Sequence, residues 1–364
     1  MSKVGVRQSA RERMRRVFDG RSGAPVPVTP HWWGLYKFQL AGLINGYDGE
    51  ERAWALTGAA LAAVDTRFYR RFQPDMLHLS AGAVTPGTPA AAREARRRRE
   101  IDRLLPALRS LDSRPVIDEF CLLVNPPKDE ILAMGIFDHV RLLSRDLGGE
   151  VFIAMNEGNP ICTVLDPTGW LGFEQGLLLM AEQPRNFEYL LQGLYTGLLP
   201  RMEALVECGC HGYIGSETYC SPDLISPSMY RSLVFPAQSS FYRKAAQMGL
   251  VPITYFLGDI LPILPDILDL GARGLMVEEP KKGYALDVVE IARRMEGRMC
   301  LFGNLDSIWC LLKGTVEEVR RETLRELGAA RFGPFIMASG SPVAFDTPEA
   351  NIVAMMAAAR EAAA

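Results

Sequence analysis

Hydrophobic positions follow two different patterns within residues 250–280. The run 251–257 is continuously apolar, β-branched or aromatic and stops at Gly258, which is typical of a buried strand that ends in a tight turn. Leu264, Ile267 and Leu268 then recur at helical spacing, and Gly271 is placed to end that helix. A second apolar run, 274–277, predicts another strand. The stretch therefore predicts one β-α-β unit.

The two strands of this unit are expected to be parallel, because a crossover of about a dozen residues suits parallel pairing. Polar residues follow both strands: Asp259 after the first, and Glu278 and Glu279 after the second. Carboxyl ends of parallel strands meet at one edge of a sheet, where α/β proteins place their sites. This edge is where the sequence predicts the chemistry.

The same alternation of apolar runs and helical segments recurs along the chain. It predicts eight or nine strands, and a closed (β/α)8 TIM-type barrel is the fold class that needs this number. Ser9 predicts the N-cap of an amphipathic helix with Met14, Val17 and Phe18 on one face, an N-terminal helical extension of the barrel. No linker divides residues 1–364, so we expect a single domain. The predicted strands lie near residues 26, 76, 116, 151, 213, 252, 275, 300 and 335.

An aromatic cluster follows the prolines at positions 25, 27 and 30. Such rings are usually core, but they also suit the wall of a pocket for a flat or methylated ligand, with His31 and Lys37 as its polar groups. His78 lies inside an apolar strand, where a histidine is either a core residue or part of a site. The substrate-binding candidates of this region are His31, Trp32, Trp33, Tyr36 and Lys37.

Polar side chains at the predicted strand ends supply the remaining candidates. We expect the catalytic residues among Glu217, Tyr255, Asp259, Ser341 and His78, and further substrate contacts from Glu278 and Asn304. Glu217 is the residue on which activity is expected to depend most, because it is placed to share a face with Tyr255 and Ser341. A carboxylate in a dry pocket suits acid or base chemistry, or binds a methylated ammonium. The alternatives are helix caps for Glu217 and Asp259, and a pairing of Glu278 with Lys281 or Lys282.

The amino-acid composition limits the classes of partner that the protein is expected to bind. The 40 basic and 43 acidic residues give a formal charge of -3, which argues against a nucleic-acid or membrane-surface binder and favours a small-molecule substrate. Seven scattered cysteines are expected to be reduced thiols. The sequence shows neither a signal peptide nor a long apolar run, so a cytoplasmic protein is expected.

Five segments resemble the uroporphyrinogen decarboxylase superfamily, which includes tetrapyrrole decarboxylases and cobalamin-dependent methyltransferases. The resemblance spans nearly the whole chain and implies the barrel. The element GNLD with GTVEEV and the element DTPEAN are the more specific pieces. The segments, in order, are RERMRRVFDG, GSETYCSPDLISPSMYRSLVFP, VPITYFLGDILPILPDILDLGARGLMVEE, LFGNLDSIWCLLKGTVEEVRRET and ASGSPVAFDTPEANIVAMMAAAREA.

The chain departs from both branches at their sites. The methyltransferases carry His-x-Cys-Gly where this chain has Tyr255 to Gly258, and a Cys at the position of Ser341; these three ligands hold zinc, which activates a thiol. The decarboxylases carry an Arg-Gln-Ala-Gly-Arg loop that binds carboxylates, and a Gly-His-Gly near the last strand. No arginine occurs here between Arg21 and Arg52. We therefore expect no metal site.

Three functions remain open from the sequence. The first is a zinc-independent methyltransferase of the corrinoid type, acting on a small methoxy or methylamine compound. It would hold no cofactor tightly and would use cobalamin presented by a partner corrinoid protein. The second is a decarboxylase of a smaller carboxylated substrate, with Lys37 and Arg67 as its cations. The third is a non-catalytic ligand-binding barrel. A homodimer is compatible with each.

Overall fold

Seven parallel strands form one curled sheet in sequence order, β1 to β7, in a computed structural model that describes residues 8–281, 283–284 and 286–362. Each strand pairs with the next along the chain, so every crossover returns on the same side, as in a barrel. The strands are β1 Met76–Ser80, β2 Phe152–Glu157, β3 Gly212–Glu217, β4 Val251–Phe256, β5 Gly274–Val277, β6 Cys300–Phe302 and β7 Phe335–Ile336.

The eighth strand position is filled by the extended segment around Val28. Met337 N donates to Pro27 O at 2.8 Å and Thr29 N donates to Met337 O at 2.9 Å, which joins this segment to the end of β7. On its other side, Asp75 N donates to Val28 O at 3.0 Å, just before β1. The strand predicted near residue 26 is thus a single bridge that closes the ring, and the predicted TIM-type barrel is confirmed.

Helices surround the sheet. They are α1 Ala10–Phe18, α2 Tyr36–Leu40, α3 Glu50–Trp54, α4 Gly58–Phe72, α5 Pro89–Leu108, α6 Arg114–Val124, α7 Lys128–Ala133, α8 Asp138–Leu147, α9 Pro160–Leu165, α10 Phe173–Glu182, α11 Pro184–Gly197, α12 Leu199–Glu207, α13 Pro227–Met229, α14 Phe235–Gln247, α15 Leu264–Asp269, α16 Val288–Met295, α17 Val316–Glu326 and α18 Glu349–Glu361. Wider π-type turns span Tyr230–Val234 and Ser307–Leu312, and short 3-10 turns span Leu261–Ile263 and Leu327–Arg331.

The strand predicted near residue 116 is wrong, because this segment is the helix α6. Pro115 stands in its first turn, where a missing N–H costs nothing. Ile117 and Phe120 are buried three residues apart, so the apolar run follows helical spacing and covers one face. A short apolar run without clear alternation does not separate the two structures.

The predicted N-terminal helix is confirmed and closes the lower end of the barrel. Ser9 and Glu12 form a reciprocal capping box at the start of α1. Met14, Val17 and Phe18 pack inside the barrel, and the Phe18 ring lies 5.3 Å from that of Phe152. Because this end is filled by side chains, a ligand reaches the barrel interior from the carboxyl ends of the strands.

Strand residues alternate between the barrel interior and the layer facing the helices. On β4, Tyr255 belongs to the interior cluster, whereas Phe256 packs in the outer layer with Tyr213 of β3. The register pairs Ser216 with Tyr255 and Glu217 with Phe256. This register decides which polar side chains can share the barrel mouth.

The described residues contain no helix long and apolar enough to cross a membrane. All seven cysteines are free thiols, as expected for a chain without a disulfide framework.

Candidate active site at the barrel mouth

Three aromatic side chains from separate elements meet at the carboxyl end of the barrel. The His31 and His78 rings are stacked with centroids 4.7 Å apart, and the Tyr255 ring meets His31 edge-on at 4.9 Å. All three side chains are buried. The structure therefore brings together three of the sequence candidates, drawn from the closing segment, β1 and β4.

The backbone after β7 fixes two of these rings. Ser339 Oγ accepts from His31 N at 3.0 Å, and the Tyr255 hydroxyl donates to Gly340 O at 2.9 Å. His31 Nδ1 lies 3.4 Å from the same carbonyl. A side chain at position 340 would collide with the Glu279 backbone, so only glycine permits this close approach.

Both imidazoles are neutral near pH 7. Burial, opposed by a hydrogen bond to Gly340 and assisted by Lys281, lowers the pKa of His31 to about 3. Burial, with His31 and Lys37, lowers the pKa of His78 well below its ordinary value. His31 Nε2 and both His78 ring nitrogens are buried without a hydrogen-bond partner among the described residues. These nitrogens are free to bind a polar ligand atom.

Acidic side chains and one lysine form the opposite side of the mouth. Lys281 Nζ donates to Ser341 Oγ at 2.7 Å and lies 3.2 Å from Glu278 Oε2 and 3.4 Å from Glu279 Oε1. Glu278 Oε1 accepts from Gly258 N at 2.7 Å and from the Tyr284 hydroxyl at 2.6 Å. The expected pairing of Glu278 with Lys281 is present, and this pair also holds the Ser341 hydroxyl.

Two further candidates have structural partners. Asp259 Oδ1 accepts from Leu261 N at 3.1 Å, at the first residue of the 3-10 turn that follows β4. Asn304 Nδ2 donates to Glu278 O at 3.1 Å and to Leu286 O at 2.8 Å, which ties together the loops after β5 and β6. Asn304 thus positions Glu278 by bonding to the backbone carbonyl of Glu278.

The expectation that Glu217 shares a face with Tyr255 is wrong. Glu217 pairs in register with Phe256, one residue beyond Tyr255, so its side chain lies between β3 and the surrounding helices. It is fully buried there and accepts from Tyr242 Oη at 2.7 Å, from Gln238 Nε2 at 2.5 Å and from Asn159 Nδ2. Ser216, one residue earlier, is the β3 residue that pairs in register with Tyr255.

The surroundings of Glu217 are polar but uncharged. Burial raises the pKa of this carboxyl to about 8, although hydrogen bonds from Tyr242, Cys220 and Gln238 oppose the shift. Tyr230 donates to Gln238 Oε1 at 3.0 Å, which orients the Gln238 amide toward the carboxyl. Glu217 is therefore the centre of a network that joins β3 to α14.

The predicted aromatic cluster divides into core and rim. Trp32 is buried against Phe68, with ring centroids 4.0 Å apart, and Tyr36 is buried with its hydroxyl donating to Thr347 O at 3.2 Å. Trp33 is half-buried beside Trp54. Trp32 and Tyr36 thus occupy the helix layer, as the core interpretation predicts, and His31 alone of the aromatic segment reaches the mouth cluster with Tyr255.

Lys37 is not available to bind a substrate carboxylate. Its ammonium donates to Asp65 Oδ1 at 2.7 Å, and both side chains are almost fully buried. Asp65 is not among the residues predicted from the sequence to matter for this region. Its position on the apolar face of α4, between Leu61 and Phe68, was the signal, because a carboxyl buried there needs a cation.

His139 is a second buried residue of this region that the sequence did not predict. It is fully buried on α8, close enough to Lys37 for the two charges to interact, and burial is the main cause that lowers its pKa to about 3. With His31 and His78, three of the four histidines lie near the end of β1. No local pattern predicts this grouping, because residue 139 lies on a helix far along the chain.

A wide cleft opens beside this end of the sheet. Its volume is about 1100 Å³, and its walls come from the loop after β1, from α5 and α6, and from Trp170. Arg201 also lines the cleft and pairs with Glu157 at the end of β2 at 2.6 Å. The cleft is large enough for a bulky ligand to approach from this side.

The positions that correspond to zinc ligands in the methyltransferases do meet at the mouth. Tyr255 and the neighbouring Leu257 lie on the interior face of β4, and the Tyr255 hydroxyl contacts the backbone just before Ser341. A phenol, an alkyl side chain and a hydroxyl do not form the imidazole and thiolate set that zinc prefers. The Lys281 ammonium beside Ser341 also repels a cation. The described residues contain no cluster of three His, Cys, Asp or Glu side chains suited to a metal.

Comparison with known proteins identifies the family and the fold. The model of the family described as "Uroporphyrinogen decarboxylase (URO-D)" matches residues 9–362. A methyltransferase from Methanosarcina mazei has a similar structure, with a TM-score of 0.72 and 18% identity over 98% of this chain and 99% of that one. At this identity the likeness shows the fold.

Two curated sequences are also similar. Methylcobamide:CoM methyltransferase MtaA from Methanosarcina barkeri is 27% identical over 62% of this chain, and the protein of the same name from the strain Fusaro is 26% identical over the same share. The chain spans 63% of the length of each of these relatives. With the family match over nearly its whole length, the chain belongs to the uroporphyrinogen decarboxylase family.

Proposed function

We propose that the protein is a corrinoid-linked methyltransferase that acts on a small methoxy or methylamine compound without zinc. The observation that carries this proposal is the charge of the barrel mouth. Around the Ser341 hydroxyl, the carboxylates of Glu278 and Glu279 outnumber the Lys281 ammonium with which they pair. A mouth with this balance favours a neutral or cationic methylated substrate.

The same charge balance argues against the decarboxylase alternative. A carboxylated substrate needs cations that match its oxygens. Lys37, the cation expected for this role, is already paired with Asp65 in the protein interior. Arg67 lines a surface cavity beside α4 and α18 instead of the mouth.

Loss of a methyl group from an oxygen leaves an electron pair that must be protonated. Lys281 is placed to supply this proton through the Ser341 hydroxyl, since its ammonium donates to Ser341 Oγ at 2.7 Å. Glu278 and Glu279 hold the ammonium in position. For a quaternary ammonium substrate no proton is needed, and the two carboxylates stabilise its charge. A corrinoid carried by a partner protein would supply the nucleophile that takes the methyl group.

The neutral imidazoles form the other wall of the proposed site. His31 Nε2 and both ring nitrogens of His78 have no hydrogen-bond partner among the residues that the structure describes, and the Tyr255 ring meets His31 edge-on. Such groups can accept or donate one hydrogen bond to the substrate heteroatom without adding charge. This supports a role in orienting the substrate against Lys281 and Ser341.

The test compares methyl transfer with carbon dioxide release. Purified protein is incubated with cob(I)alamin and a panel of methoxy and methylamine compounds, and formation of methylcobalamin is followed by absorbance; carboxylated compounds are assayed for carbon dioxide. Lys281→Met should lower methyl transfer by about two to four powers of ten. Lys244→Met, the same change at an exposed position of α14, is the matched control. Carbon dioxide release without methyl transfer would establish the alternative.

A further inference from the structure

A second cleft lies at the opposite, amino-terminal end of the barrel. Its volume is about 690 Å³, and its walls come from α1, from the turn before β2 and from the residues that precede β3 and β4. Arg11, Arg15 and Arg273 line it together with His211. The rings of Phe18 and Phe152 also line it.

The arginines of α1 differ in their partners. Arg13 pairs with Asp75 at 2.6 Å, and Arg16 donates to backbone carbonyls, including Pro25 O at 2.7 Å. Arg11 donates to Gly148 O at 2.8 Å, but its Nε is buried without a partner among the described residues. Arg15 has neither a side-chain hydrogen bond nor an ion pair within the described part of the chain. Within the described part of the chain, the two α1 arginines that face the cleft, Arg11 and Arg15, thus have no carboxylate partner.

Little negative charge compensates these groups. Asp19 is the acidic residue among the described lining residues; it lies 4.0 Å from Arg273 and is shared with Arg21 at 3.0 Å. Arg15 lowers the pKa of Arg11, second to burial, so the two guanidinium groups repel each other. The cleft therefore carries a net positive charge that an anion would relieve.

His211 adds a hydrogen-bond donor. Its Nδ1 accepts from Ile153 N at 3.0 Å, which places the proton of the neutral ring on Nε2. Burial, with Arg11 and Arg15, lowers the pKa of this histidine to about 4, so the ring is neutral near pH 7. The imidazole N–H and the guanidinium groups together suit the oxygens of an anion.

We propose that this cleft binds a small phosphorylated compound, with the phosphate or pyrophosphate group on Arg11, Arg15 and Arg273. Guanidinium groups match the geometry of phosphate oxygens with two parallel hydrogen bonds each. This site is separate from the barrel mouth and does not depend on the proposed reaction.

Calorimetric titration with inorganic pyrophosphate tests the site. Arg15→Gln combined with Arg273→Gln removes two charges at exposed side chains, so the fold should be kept. The matched control is Arg293→Gln with Arg298→Gln, which removes two charges from exposed arginines outside the cleft lining. We expect saturable binding at one site per chain, about tenfold or more weaker in the first variant and unchanged in the control.

His211 provides a second readout in the same titration. Pyrophosphate should shift the NMR signals of the His211 ring, assigned with His211→Gln, and leave those of the buried His31 and His78 in place. Absence of saturable binding overturns the proposal. Equal weakening in both double variants also overturns it, because it means diffuse attraction to a basic surface. Neither result depends on whether methyl transfer is observed.

Discussion

Replacement of Glu217 by glutamine should change how the stability of the protein depends on pH. Burial raises the pKa of this carboxyl to about 8, from an ordinary value of 4.5. Between these two pH values the folded chain holds one proton more than the unfolded chain. The stabilisation linked to this proton is fully present below pH 4.5 and is lost as the pH rises toward 8. Glu217→Gln removes this titration.

The size of the effect follows from the contacts. While the two states differ by one proton, the unfolding free energy of the wild type falls by about 1.4 kcal/mol per pH unit relative to the variant. The glutamine amide would also meet the Gln238 amide, which donates to the carboxyl at 2.5 Å, and this mismatch costs about 1–3 kcal/mol at every pH. Between pH 5.5 and pH 7.5 the wild type should therefore lose about 2.8 kcal/mol relative to the variant, so that any excess stability it has at pH 5.5 vanishes or reverses by pH 7.5.

Urea unfolding at pH 5.5, 6.5 and 7.5, followed by tryptophan fluorescence, measures this difference. Subtracting the two proteins cancels the other titrating groups, including Glu326, whose pKa burial also raises to about 8. Glu203→Gln, at an exposed position of α12, is the matched control. Parallel stability curves for wild type and Glu217→Gln would refute the reasoning. Because Glu217 faces the helices, turnover of the folded variant should stay within about tenfold of wild type.

Three further outcomes are expected from the same kind of measurement. Lys37→Met should lower the unfolding free energy by about 3–5 kcal/mol, because it leaves the buried Asp65 without its cation; the double change Lys37→Met with Asp65→Leu should recover most of the loss. Trp32→Ala should cost about 3–5 kcal/mol, whereas Trp33→Ala, at a half-buried position, should cost clearly less; equal losses would contradict the division into core and rim. Burial lowers the pKa of His139 to about 3, so its contribution to stability is lost as the pH falls below 6.5, and His139→Gln should make the decline toward pH 4.5 shallower by about 1.4 kcal/mol per unit. An unchanged acid limb would contradict this assignment.

Much of the fold was predictable because local patterns and the barrel agree. The capping box of α1, the apolar run of β4 and the glycine that ends α15 each depend on neighbouring residues alone. The segment near residue 116 failed for the opposite reason, since a short apolar run fits a strand or a buried helix face. The segment around Val28 was predicted as a strand and forms only a single bridge. The extent of this pairing depends on the segments beside it in the barrel, the end of β7 and the start of β1, and not on its own sequence.

A candidate site residue was predictable from sequence where its position at the end of a strand is enough to place it at the barrel mouth. Tyr255 lies on the interior face near the end of β4, and Glu278 and Ser341 lie in the loops that follow β5 and β7. Glu217 differs by one residue of register, and a shift of one residue moves a side chain to the other face of the sheet.

For the remaining candidate residues, contacts between segments that are distant in sequence determine where the side chain lies. Lys37 was expected to bind substrate, but its ammonium pairs with Asp65. The two residues lie on different helices, α2 and α4, so no local sequence pattern links them. The stacking of His31 on His78 depends on closure of the ring between the segment at Val28 and β1. A sequence read locally contains neither contact.

The central claim is that the barrel mouth transfers methyl groups without zinc, and the most direct measurement is methyl transfer by metal-depleted protein. Protein dialysed against a chelator, with its zinc content measured by elemental analysis, is given cob(I)alamin and an isotopically labelled methoxy or methylamine substrate. We expect labelled methylcobalamin at the rate of the untreated protein, with far less than one zinc per chain. Transfer that stops on dialysis and returns with added zinc would contradict it.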